Sequence, residues 1–295
     1  MPSTIIIGCE GFIGSRASVQ LADKGEDIIA IDVPISKGRS YYSSQLNNHK
    51  KIRSIYLESL KDIPWATIAD DVHIIYLALQ SSHLIDKRNL SSGTIPDFLE
   101  LSALIENIPT DKQIHLSFLS SFAVYGQAKG YISENAPIDL LNPYAFMKYQ
   151  SENMLLYYSN NLNIDVSVFR LLMCYGPFAN KSTFIGKIIA SYKSDNIITL
   201  YNKGSQIRDF IYVDDVISAL SFPDLPSGFN IYNLGADSSN FKNIVELFEV
   251  QYKLEGFENN YDVITSNFTK FSEVTGWTPT YNIASGIERT KELII

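Results

Sequence analysis

Cysteine is scarce: the 295 residues include two, Cys9 and Cys174. Two cysteines build no disulfide framework, and without a CxxC pair they mark no zinc site. Histidine is scarce too, with four residues (His49, His73, His83 and His115). None has the spacing of metal ligands, so they read as structural or surface residues and no metal is expected. No apolar run reaches the length of a membrane span. Residues Met1 to Gly8 carry no basic region ahead of their short apolar stretch, so they are not expected to act as a signal peptide. Positive charge is in deficit, with 24 Lys and Arg against 32 Asp and Glu and a net charge of −8. An acidic surface is a poor displacer of counterions, so neither nucleic acid nor an anionic membrane is an expected partner. Together these absences predict a protein of the reducing cytoplasm.

What is present is a core. Hydrophobic residues make up 45% and charged residues 19%, enough for one large domain or a main domain with a smaller lobe. The opening Thr4-Ile5-Ile6-Ile7 is apolar and β-branched without alternation, as in a strand covered on both faces. A helix follows over Ser15 to Lys24, then a second buried strand, Asp27 to Ile31. Val72 to Leu77 predicts a strand, Pro96 to Asn107 a helix and Gln113 to Leu119 a strand. Pro143 to Asn160 predicts a long helix with proline in its first turn, and Ile164 to Phe169 a further strand. Strands alternating with helices at this spacing predict an α/β, doubly wound parallel sheet (Rossmann). After Arg170 the rhythm changes: a helix at about Phe184 to Lys193, a short strand at Ile197 to Leu200, and short helices from Asp237 onward, including Phe241 to Tyr252 and Ile283 to Leu293. The expected organisation is a dinucleotide-binding domain over 1–170 with a returning segment at about 205–235. A smaller C-terminal substrate-binding lobe then comprises 171–204 and 236–295.

Gly8-Cys9-Glu10-Gly11-Phe12-Ile13-Gly14 is a GxxGxxG turn between the first strand and the first helix. Glycines there let the backbone approach a pyrophosphate, and the helix start offers N–H groups and a positive dipole end. Gly8, Gly11, Phe12, Ile13 and Gly14 are therefore candidate cofactor contacts. Asp32 ends the second strand, where a carboxylate accepts both adenosine ribose hydroxyls and repels a 2′-phosphate, favouring NAD over NADP. Lys37 and Arg39, just beyond, soften that preference. Cys9 reads as a small packing residue.

Two Tyr-x-x-x-Lys pairs occur, Tyr125/Lys129 and Tyr144/Lys148. Glycines at 126 and 130 make the first a strand end and loop. The second lies in the first turns of a predicted helix, where i and i+4 share a face. A phenol near pKa 10 is a weak base; a neighbouring ammonium and an oxidised nicotinamide stabilise its phenolate. Tyr144 then takes a proton from a hydroxyl as hydride leaves the carbon; Tyr144 and Lys148 are also candidate cofactor contacts, Lys148 at the ribose. Ser121 follows an apolar strand, where a hydroxyl meets ligand in such sheets.

The glycine turn, Asp32, the run Ser120 to Gly126, Asn142-Pro143-Tyr144-Ala145-Phe146-Met147-Lys148 and Gly204 to Val216 stand in one order, followed by Gly276-Trp277-Thr278-Pro279 near the end. In these the chain resembles the extended short-chain dehydrogenase/reductases, in their NAD-dependent sugar-nucleotide epimerase/dehydratase group, over nearly its whole length. The resemblance implies a catalytic Ser121, Tyr144 and Lys148, cofactor contacts at Gly8, Gly11, Gly14 and Asp32, and Arg208 on the substrate's diphosphate, which a guanidinium grips in a forked manner. It also implies a nucleotide-diphosphate sugar as substrate and a homodimer packed through the Tyr144 helix.

The departures narrow the chemistry. Dehydratases of the group carry Asp-Glu where this chain has Phe122-Ala123, so 4,6-dehydration is not expected. Met173 replaces an Asn near the substrate phosphates, Ser59 stands where Asp often flanks adenine, and Met147 replaces a common Ser. The leading expectation is an NAD-dependent nucleotide-sugar epimerase acting at C4 through a transient keto sugar. An NAD(P)H-dependent reductase of nucleotide-4-keto-6-deoxysugars stays open, as does a catalytically silent NAD-binding sensor or scaffold.

Overall fold

The computed structural model describes residues 3–78, 95–194, 196–257 and 262–294; His83 lies outside them. The β-branched opening run forms β1 (Ser3–Ile7), buried from Thr4 onward. Next come α1 (Phe12–Asp23), β2 (Ile28–Asp32), α2 (Ser43–Asn48), β3 (Ile52–Tyr56), β4 (Asp71–Tyr76), α3 (Ile95–Glu106), β5 (Gln113–Ser121) and α4 (Pro143–Leu162). With strands Asp165–Leu171 and Phe229–Leu234 they make a seven-stranded sheet, ordered Phe229–Leu234, Asp165–Leu171, β5, β4, β1, β2, β3. β1 pairs in parallel with β2 and β4, β2 with β3, and β4 with β5.

The chain thus winds from β1 toward one edge and from β4 toward the other. Right-handed crossovers running in opposite directions put their helices on opposite faces, and α1 accordingly contacts α2 while α3 contacts α4. This is the expected doubly wound sheet. Its order reverses between β1 and β4, which opens a crevice beyond the strands' C-terminal ends. Alternate residues such as Ile5 and Ile7, Ile74 and Tyr76, and Leu116 and Phe118 share one core cluster with Leu101, Leu104 and Ile105 of α3 and Leu155 of α4.

Backbone contacts group the chain into a first unit, 1–126, 138–170 and 220–231, and a second, 127–137, 171–219 and 232–295. The segment returning to the first unit is 220–231, narrower than the expected 205–235. The reason is that strand Ile207–Tyr212 pairs inside the second unit with Asp237–Asn240, Val263–Ser266 and Met173–Tyr175. Gly130–Ile132 joins the same sheet through Val263–Ser266. Beyond Asp237 strands share the chain with helices Phe241–Leu247, Thr269–Thr275 and Ile283–Ile294. The helix expected to reach Tyr252 stops at Leu247: Glu249 takes a left-handed φ of 59°, and Tyr252–Leu254 pairs with Ile198–Leu200 instead.

Candidate functional site

The glycine turn lies at the reversal of the sheet. Gly8, at φ +91°, donates its N–H to the Ile31 carbonyl at 2.9 Å, as Cys9 does at 3.2 Å, and Gly11 donates to Gly8 O at 3.1 Å. A Cβ on Gly14 would stand 2.1 Å from the Gly8 carbonyl oxygen, so no side chain fits there. This close approach brings the start of α1 onto the end of β1. Among the described residues no side chain caps α1, and its first turn holds no acid. The amides of Phe12, Ile13 and Gly14 precede the first intrahelical bond, Ser15 N to Gly11 O, and form a cradle suited to a pyrophosphate. Gly14→Ala is expected to lower the free energy of unfolding by about 1–3 kcal/mol, as overpacking does; urea unfolding of the two proteins measures it.

Asp32 closes β2 at the rim of the same crevice. Its Oδ2 accepts from Glu10 N and its Oδ1 from Val33 N, both at 2.8 Å. Two backbone amides fix the carboxylate and leave each oxygen a further lone pair for a ribose hydroxyl.

α4 begins where Asn142 Oδ1 accepts from Ala145 N at 2.8 Å and Pro143 takes the first helical position. Tyr144 and Lys148 then share a face, with Lys148 Nζ 5.8 Å from the Tyr144 ring centroid. Lys148 Nζ donates to the Leu119 carbonyl at 2.5 Å. β5 runs two residues past its expected end and carries Ser121 to the same place. Ser121 Oγ accepts from Ala123 N at 3.2 Å and lies near enough to Tyr144 to act on its phenol. With one lone pair used by Ala123, the hydroxyl proton is free to point at the phenol oxygen. Burial raises the Tyr144 phenol above its usual value while the nearby Ser121 hydroxyl pulls it down. Burial lowers the Lys148 ammonium to about 7, against Glu152 and Asp97, which raise it. The structure therefore gathers Ser121, Tyr144 and Lys148 in a setting that penalises both the phenolate and the ammonium, so that proton transfer there responds strongly to any added charge.

Behind these groups lies a buried network that the sequence reading did not single out. Glu152, one turn beyond Lys148, accepts from Arg170 Nη2 at 2.6 Å and Arg170 Nε at 3.1 Å, and also from Ser120 Oγ. Both charged residues are 2% exposed. Arg170 Nη1 donates to Tyr125 OH at 2.7 Å. Tyr125, the other member of a Tyr-x-x-x-Lys match, is thus a buried core residue, with its ring set edge-on against buried Phe122 at 4.8 Å. The helical spacing of Glu152 from Lys148 was the available signal.

Arg208 belongs to the second unit, on strand Ile207–Tyr212. Its Nη2 pairs with Asp262 Oδ1 at 2.8 Å, its Nη1 donates to the Asp262 carbonyl at 2.9 Å, and its guanidinium lies 5.9 Å from the Phe241 ring centroid. Neighbouring Asp209 is buried and accepts from Ser238 and Ser266, so Arg208 and Asp209 are not partners of each other. Met173 sits on strand Met173–Tyr175 opposite Phe210. Ser59 Oγ donates to Glu100 of α3 at 3.2 Å. His73 and His115 pair across β4 and β5 and hydrogen-bond Ser117 and Ser167 at 2.8 and 3.0 Å; burial takes His73 down to about 3. Among the described residues no group of three or more His, Cys, Asp or Glu is placed to hold a metal ion. No helix among them is long and apolar enough to cross a membrane.

Known proteins carry the same pattern. The model of the NAD dependent epimerase/dehydratase family matches residues 4–235. A UDP-glucuronate 4-epimerase of Thermodesulfobacterium geofontis is 23% identical over 314 residues, spanning 97% of this chain and 94% of its own. A UDP-glucose 4-epimerase of Mycolicibacterium smegmatis is 26% identical over 313 residues, spanning 98% and 97%. Among solved structures, the UDP-glucuronic acid 4-epimerase from Bacillus cereus in complex with NAD superposes with a TM-score of 0.82 at 20% identity, over 98% of this chain and 95% of that one.

Proposed function

Because the chain belongs to the NAD-dependent epimerase/dehydratase family, we propose that it is an NAD-dependent nucleotide-sugar epimerase that inverts C4 of a hexose through a transient keto sugar. The observation that carries this reading is the gathering of Tyr144 and Lys148 on one helical face with Ser121 at the end of β5, at the strand ends that border the glycine turn. NAD, held at Gly8, Gly11, Phe12, Ile13, Gly14 and Asp32, supplies the hydride acceptor and, in the return step, the donor. Tyr144 takes the proton of the C4 hydroxyl and later gives it back. Ser121 donates to the phenolate as it forms. Lys148 adds positive charge beside it and reaches the cofactor ribose. Arg208 grips the substrate's diphosphate, with Asp262 orienting its fork. Phe122 and Ala123 carry no acid, which disfavours loss of water. The names of the relatives support a UDP-sugar as the first substrate to try.

A homodimer completes the proposal. Leu99 of α3 and Phe146 and Tyr157 of α4 are exposed, and the two helices touch, which supports an apolar face for a second copy. Cys9 and Cys174 are not joined in a disulfide, which fits a reducing cytoplasm.

Proton NMR tests the reaction. The protein, with no cofactor added, is mixed with UDP-, dTDP-, CDP- and GDP-sugars. Conversion of one anomeric signal into that of a stereoisomer, up to equilibrium, is the expected result. Turnover only with a 4-keto sugar plus reduced nicotinamide would replace epimerisation by keto-sugar reduction. No turnover under either condition would favour the silent sensor.

A further inference from the structure

The glycine turn holds a residue that turning does not require. The turn rests on the backbones of Gly8, Gly11 and Gly14, yet Glu10 sits among them, 7% exposed. Its carboxylate is held by four donors. Oε1 accepts from Gly38 N at 3.1 Å and Tyr56 OH at 2.8 Å; Oε2 accepts from Ser40 N at 2.9 Å and Ser43 Oγ at 2.7 Å. These donors come from the loop after β2, the first residue of α2, and the end of β3. Burial alone would raise Glu10, but the hydrogen bonds outweigh it and hold the carboxyl below its usual range, so it stays anionic. Tyr56 stays protonated, raised by burial and by its bond to Glu10.

Two consequences follow for the crevice rim. The segment after Asp32 is otherwise loosely packed, with Val33 and Ile35 41% and 75% exposed, and Glu10 ties its far end back to the turn. The Glu10 amide meanwhile donates to Asp32 Oδ2 at 2.8 Å, so the backbone that carries Glu10 is tied to the acid at the end of β2. The buried Cys9 thiol senses both: burial raises it first, then Asp32, then Glu10. The opposing charges, Lys37 and Arg39, are exposed, and Lys37 rests 5.2 Å from the Tyr56 ring centroid.

We propose that Glu10 is a specificity-determining residue of the dinucleotide site, latching residues 38–43 beside the ribose position marked by Asp32 and adding a second anionic wall against a 2′-phosphate. The inference rests on the proposed NAD site and adds Glu10 to the selectivity that Asp32 gives it. A free 2′-hydroxyl meets the lone pairs that Asp32 keeps open, whereas a 2′-phosphate meets the charge of Asp32 and, behind it, the buried charge of Glu10, which costs binding.

Titration calorimetry of NAD+ and NADP+ into the full-length protein, freed of bound dinucleotide, tests it in wild type, Glu10→Ala and Glu10→Gln. Release of NADH, followed by fluorescence, gives the second readout, and thermal melting checks that each variant folds. Wild type is expected to favour NAD+ by about a hundredfold or more, as like-charge exclusion allows. In Glu10→Ala that ratio should fall about tenfold or more and NADH should leave about tenfold faster, since both the wall and the latch are lost. Glu10→Gln removes the charge with little change of volume and decides the matter should the alanine variant not fold. Ratios within about twofold of wild type in the folded variants, or a wild type that prefers NADP+, would overturn the proposal. A wild type that binds neither dinucleotide would overturn the NAD site itself, and this inference with it.

Discussion

Tyr144→Phe should lower turnover of the nucleotide sugar by about 10²–10⁴-fold, the range that a positioned acid–base group contributes. The ring remains to fill its place in the first turn of α4, and the Asn142 cap and the Lys148 bond to Leu119 O do not involve the hydroxyl. The fold and dinucleotide binding should therefore stay close to wild type. Only the group proposed to exchange a proton with the substrate, whose phenol Ser121 acts to lower, is removed. Initial rates by NMR, set beside an NAD+ titration of the same protein, measure both parts. A variant that binds NAD+ and turns over within twofold of wild type would move the proton transfer to another residue. A variant that loses NAD+ binding as well would make Tyr144 a cofactor contact first.

Glu152→Ala should cost about 3–5 kcal/mol of stability, because it strands the buried Arg170 charge. Burial works against that guanidinium, and the hydrogen bonds and charge of Glu152 more than offset it. Removing the acid also takes one acceptor from Ser120. Each kcal/mol corresponds to roughly 2–4 °C in Tm for a chain of this class, so calorimetry should register a large drop. Lys148 carries a second readout. Glu152 raises the Lys148 ammonium toward charge, against a burial that brings it to about 7. Without Glu152 that value falls further, the amine loses its proton at lower pH, and the alkaline limb of the turnover profile should move to lower pH. Replacing Glu152 and Arg170 together with apolar residues of similar size should restore much of the stability without restoring that limb. A single variant as stable as wild type would show that the pair is not holding α4 against the sheet.

The fold was read well where local chemistry governs it. The β-branched runs of β1 and β2 are buried on both faces, and the Gly8–Gly14 turn lies where its spacing required. Tyr144 and Lys148 lie on one helical face, as a separation of four dictates. β3 escaped notice because Ile52-Arg53-Ser54-Ile55-Tyr56 is a partly buried edge strand, with a mixed pattern in place of a continuous apolar run. The short strands after Asp237 escaped for a related reason: three or four residues carry little period of their own, and pairing with distant partners makes them strands.

The site divides along the same line. Local residue order sets the crevice-forming alternation of strand and helix, the glycine turn, the capped helix with its Tyr–Lys pair and the acid at the end of β2. Each depends on dihedral preferences or on residues within one or two turns of each other. Tertiary structure alone decided that Glu10 meets Tyr56, 46 residues away, and that Glu152 is claimed by Arg170 and Ser120. It likewise decided that Tyr125 is core and that Arg208 pairs with Asp262, 54 residues on. Those contacts exist only once the sheets have closed long loops and withdrawn water from the groups involved. Burial and partner choice, which set the charge of every acid, base and phenol in the site, come from the folded arrangement rather than from the order of residues along the chain.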